Sequence, residues 1–187
     1  MNKNNRSFAD TALAIFPSRE GFGWIVFDGP LSPVGWDVCT LAKVPGTSKE
    51  KNARCMKRVE SLVSEYHPAA IVLEAFEGLG TRRCERVKKL CRSVVSLATM
   101  HGIPVHIVSK AQIAGYFASA HLKTRHDVAT VVASHLVEIR HRLPEKRKTW
   151  NAEDADMALF NAAALLFVHY GNPKEPLQRN ACVRRRQ

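Results

Sequence analysis

The chain has 187 residues, 45% hydrophobic and 24% charged, enough for one domain with a real core, which excludes wholesale disorder. Lys and Arg number 28 against 17 Asp and Glu, and the net charge of +11 points to an anionic partner, nucleic acid foremost. The longest apolar stretch, 162–168, is too short to span a bilayer, and the polar opening 1–6 lacks the apolar core of a secretory signal. Five cysteines (39, 55, 84, 91 and 182) are an odd number without CxxC spacing, so a disulfide framework and a zinc site are both poor readings. A reducing cytoplasm is the expected setting.

In chain order, residues 11–16 read as a short apolar strand, 17–21 as a turn and 23–27 as a second strand, which makes a hairpin. Asp28-Gly29-Pro30 breaks it, and 36–44 reads as a third strand before the loop 45–48. From 52 to 66 the apolar positions Met56, Val59, Leu62, Val63 and Tyr66 recur at helical spacing, and Pro68 ends that helix. Residues 70–73 are a fully apolar strand of the buried parallel type, closed by Glu74. A basic helix is predicted over 82–99, a fifth strand over 104–108, and a short helix capped by Ser109 to about Phe117. Further helices are expected over 124–139 and 151–169, separated by a basic, Pro-interrupted loop at 140–148.

These elements predict an α/β, ribonuclease H-like three-layer fold. Its five-stranded mixed sheet has a three-strand meander, then two parallel strands, flanked by helices. A single domain is expected over 8–170, followed by a basic, flexible tail at 171–187.

Acids mark the candidate site. Glu153, Asp154 and Asp156 head the last apolar helix pattern, and Glu74 ends a buried strand. On a helix, residues i and i+3 share a face, so Glu153 and Asp156 would point at one region while Asp154 joins Asn151 in a cap. Acids in a helix's first turn are also favoured simply because they complement its positive end.

The chain resembles the RuvC-type Holliday-junction resolvases, members of the ribonuclease H-like superfamily, over about 13–167. The segment 14–24 resembles the family's opening strand and turn, and Ile71-Val72-Leu73-Glu74 the strand ending in its second acid. The basic helix and Gly102-Ile103-Pro104-Val105 resemble the helix and strand that follow, and 121–125 the approach to the next helix. Glu153 to Leu159 resembles the final acidic helix, with Glu153 and Asp156 on its two acidic positions. The resemblance implies a homodimer and a Mg²⁺ or Mn²⁺ site on Glu74, Glu153 and Asp156. Mg²⁺ is a hard cation that takes oxygen ligands, and two such ions roughly 4 Å apart can cleave a phosphodiester.

One departure stands out. Phe16 occupies the position of the first-strand aspartate, and a phenyl ring cannot bind Mg²⁺. Glu20 could reach back only through an inward fold of its turn, and Asp28 and Asp10 are weaker substitutes.

Candidate phosphate contacts are Arg82, Arg83, Arg86, Lys89, His121, Lys123, Arg125, Arg142, Lys146, Arg147 and Lys148. Phe76 and Trp150 are candidates for stacking on bases, whereas Trp24 and Trp36 read as packing. Two functions follow. One is a structure-selective protein on branched or duplex DNA with metal-dependent endonuclease activity through an incomplete acidic site. The other is a catalytically inactive binding module or assembly subunit on DNA or RNA.

Overall fold

A computed structural model describes residues 10–41, 44–78, 83–118, 124–147 and 153–171. The elements run β1 (Thr11–Ser18), β2 (Gly21–Asp28), β3 (Pro33–Thr40), α1 (Ser48–Tyr66), β4 (Ala70–Glu74), α2 (Glu85–Met100) and β5 (Val105–Val108). After them come α3 (Lys110–Tyr116), α4 (Arg125–His135), a 3-10 turn (Val137–Arg142) and α5 (Met157–Tyr170). The strands form one sheet in the order β3-β2-β1-β4-β5. β1, β2 and β3 pair antiparallel, while β1–β4 and β4–β5 are parallel. This is the expected meander followed by two parallel strands.

Successive strand side chains point to opposite faces, so each strand feeds two cores. On β1, Ala12, Ala14 and Phe16 enter the core that α4 and α5 cover, and Leu13 and Ile15 enter the core beneath α1 and α2. α5 is apolar around its whole circumference because sheet and helices enclose it, with Met157–Phe160 and Ala162–Phe167 buried. Its first turn lies directly on β2. A Cβ on Gly23 would fall 2.2 Å from the Ala158 carbonyl carbon and 2.3 Å from the Leu159 nitrogen. Only glycine allows that approach.

Helix boundaries differ from the sequence reading where caps decide them. α1 begins at Ser48 because Thr47 and Glu50 form a capping box, with the Glu50 N–H donating to Thr47 Oγ1 at 3.3 Å and the Thr47 N–H to Glu50 Oε2 at 2.7 Å. Thr47→Ala is expected to lower stability by about 1 kcal/mol in urea unfolding, with α1 still formed by circular dichroism. The expected helix over 124–139 stops at His135, and the 3-10 turn occupies the start of the predicted basic loop. α5 begins at Met157 rather than 151: Asp154 Oδ1 accepts the Asp156 N–H at 2.8 Å, and the Asp154 carbonyl accepts the Met157 N–H at 3.1 Å. Glu153 and Asp154 therefore precede the helix, which corrects the expectation that Glu153 and Asp156 share a helical face.

Cys39, Cys55, Cys84 and Cys91 are free thiols. Among the described residues no helix is long and apolar enough to cross a membrane. Arg82, His121, Lys123, Lys148, Trp150, Asn151 and the tail from 172 lie outside the described residues.

Candidate functional site

Parallel register assembles the site. Ile15 of β1 lies opposite Leu73 of β4, so the next residues, Phe16 and Glu74, are neighbours where β4 ends. Strand parity turns both toward α5, as Ala14 and Val72 are two residues earlier. The carboxyl ends of parallel strands are where open α/β sheets place ligands.

Glu74, Glu153 and Asp156 each meet a different arginine. Glu74, only 3% exposed, accepts a hydrogen bond from Arg83 Nη2 in a close ion pair. Arg83 Nη1 also donates to the Pro17 carbonyl at 2.7 Å, and the guanidinium carbon stands 4.7 Å from the centre of the Phe16 ring. Glu153 faces Arg125 at 4.0 Å, and Arg125 also lies over Phe16, 5.5 Å from its centre. Asp156 binds Arg142, whose Nε donates to Oδ2 at 3.3 Å while Nη1 reaches Asp37 of β3 at 3.0 Å. Glu153 and Asp156 are thus drawn to different partners.

The donors at this end do not fit a pair of magnesium ions. A divalent cation at Glu74 would have to displace Arg83 and share the region with the Arg125 guanidinium, a like charge. Among the described residues no three His, Cys, Asp or Glu side chains gather as a metal-binding group. The predicted substitutes do not fill the gap. Glu20 is exposed on the β1–β2 turn. Asp28 pairs with Thr11 at the opposite end of β1, with Asp10 beside it, roughly 17 Å along the strand from Phe16 at ~3.4 Å per residue.

The other predicted residues divide between inside and outside. Arg86 is turned inward: Nη2 donates to the carbonyls of Ser18 at 2.6 Å and Arg19 at 2.8 Å, and Nη1 to Asn52 Oδ1 at 3.0 Å. It straps the hairpin turn to α1 and α2. Phe76 is buried in the core with α2. Trp24 is also buried, packed against Tyr66 and under Arg58. Lys89, Arg125, Lys146 and Arg147 are exposed, with Lys146 3.9 Å from Asp127.

Beside Phe16 and Glu74 opens a cleft of about 240 Å³, walled by α3, α4 and α5. Sequence reading did not single out Lys110, Thr124 or Asn161 as site residues. Asn161 had a signal, as the one polar side chain in 157–168. Its Nδ2 is buried without a hydrogen-bond partner, a condition that costs about 1–3 kcal/mol.

Solved structures with this architecture exist. The fold is that of the RuvC resolvases. The chain matches Thermus thermophilus RuvC at a TM-score of 0.61 and 19% identity, covering 85% of this chain and 92% of that one. The same enzyme solved in complex with a Holliday junction substrate gives a TM-score of 0.61 and 20% identity over 86% and 92%. The yeast mitochondrial Holliday junction resolvase Ydc2 gives 0.59 and 14% over 87% and 78%. At these identities the likeness is one of fold. No protein-family model matches the chain, and no curated protein matches it in sequence.

Proposed function

We propose that this chain is a RuvC-fold nucleic-acid-binding module that does not cleave its ligand. The observation that carries the reading is the pairing of Glu74, Glu153 and Asp156 with Arg83, Arg125 and Arg142, the first two arginines lying over the Phe16 ring. Nucleic-acid binding is supported by the net charge of +11 and by exposed Lys89, Lys146 and Arg147. It is supported also by fold likeness to a protein solved on a Holliday junction. Branched DNA is the favoured ligand, bound by a homodimer in a cytoplasm that keeps the thiols reduced. Arg82, His121, Lys123 and Lys148 belong to the proposed contact surface, with Trp150 as its stacking residue.

The test is a gel shift and cleavage assay on a labelled four-way DNA junction in Mg²⁺, Mn²⁺ or EDTA. A duplex DNA and a duplex RNA of equal length serve as comparisons. The expected result is binding that weakens steeply with salt, is unchanged by EDTA and leaves every strand intact. Metal-dependent nicking that disappears in Glu74→Gln would overturn the silent reading and restore the endonuclease. Absence of binding to all three nucleic acids would overturn the module itself.

A further inference from the structure

The cleft beside Phe16 has the chemistry of a ligand site although its acids are engaged by arginines. Its walls are largely apolar, supplied by Phe16, Ile113 and Val128 among others. At about 240 Å³ it falls below the ~300–1,000 Å³ of pockets for larger ligands, and suits one planar heterocycle. Five polar side chains meet that apolar surface, of which Thr124 is engaged in the cap of α4 and Glu74 by Arg83. Lys110 is exposed at the mouth and has no carboxylate partner among the described residues. Arg125 is held only loosely by Glu153, 4.0 Å away, with about half of each side chain exposed. Asn161 brings a buried amide nitrogen that no protein acceptor satisfies. Glu74 is neutralised by Arg83, so the mouth presents positive charge and the interior an unmet donor.

An apolar slot with a hydrogen-bond donor inside and cations outside matches a nucleotide. We infer that the cleft takes one unpaired nucleotide without a metal ion, its base among the apolar walls and its phosphate toward Lys110 and Arg125. A base carbonyl would accept from Asn161. The nucleotide can come from a bound strand, which rests on the nucleic-acid reading above, or be a free mononucleotide.

The experiment titrates the full chain in EDTA with uridine monophosphate, uridine and inorganic phosphate by calorimetry. It repeats the uridine monophosphate titration on Asn161→Leu and Lys110→Gln, and measures junction binding by gel shift for all three proteins. Lys110 is exposed, so its variant folds even where Asn161→Leu does not. Expected is binding of uridine monophosphate that exceeds that of either fragment and falls about tenfold in each variant. Displacement of the mononucleotide by a thymidine oligomer assigns the site to a strand nucleotide, and retention assigns it to the free one. Uridine monophosphate that binds no better than phosphate, or equally well to Lys110→Gln, overturns the pocket. A surviving gel shift would then leave the nucleic-acid module standing. Loss of the gel shift with nucleotide binding intact overturns the module and keeps the pocket.

Discussion

Replacing Arg83 by methionine lowers the free energy of unfolding by about 3–5 kcal/mol, because it strands the Glu74 carboxylate in the interior. The size follows from burial: the two side chains are 13% and 3% exposed, so water cannot take the place of the missing guanidinium. The same substitution removes the cation over Phe16, worth about 0.5–2 kcal/mol, and the hydrogen bond to Pro17. By contrast, Arg92, which reaches Glu77 and Glu85 at the surface, is solvated and screened, and its loss should pass nearly unnoticed. The double variant Arg83→Met, Glu74→Leu separates the causes, since it removes both charges and should recover most of the loss. Urea unfolding of the single and double variants measures this. A single variant that loses less than about 1 kcal/mol would show that Glu74 is not a buried charge held by Arg83.

Gly23→Ala is the second large effect. The added methyl would meet backbone atoms of Ala158 and Leu159 at 2.2–2.3 Å, and backbone cannot turn aside as a side chain can. α5 must lift from β2, and with it the buried Met157–Phe160 turn. Overpacking usually costs about 1–3 kcal/mol, and a backbone collision belongs at or above the top of that range. The internal control is Gly115→Ala in α3, where nothing lies within 4 Å of the new Cβ. That change is expected to be neutral or to raise stability by up to about 1 kcal/mol through helix propensity. Thermal melts of the two variants should move in opposite directions or differ by several degrees. Equal melting points would mean that α5 does not rest on Gly23.

Much of the fold was legible because strands and helices announce themselves by period. Residues 70–73 read as a buried parallel strand, Ser109 as a cap and Pro68 as a stop; all three stand in the structure, the strand one residue longer. The start of α5 was not legible. Helical spacing of acids at 153 and 156 looks the same whether or not the backbone there is helical, and Asp154 caps a turn instead. The site was legible only as a set of acids. Nothing in the sequence matches Glu74 with Arg83 or Asp156 with Arg142, since those pairs form across loops only when the sheet and α5 are in place. Phe16 was visible as a departure, but its two arginines were not. Their charge suggests phosphate contacts and gives no hint of the Phe16 ring they cover.

The two outer strands carry a further consequence. β3 enters the sheet through Pro33, carries the charged Asp37, and shifts register against β2 at Val26 and Phe27, while β5 is only four residues long. Proline, charge, irregular register and brevity are the features that stop a sheet edge from templating another strand. Growth of this sheet into fibrils or swapped ribbons is therefore disfavoured on both sides.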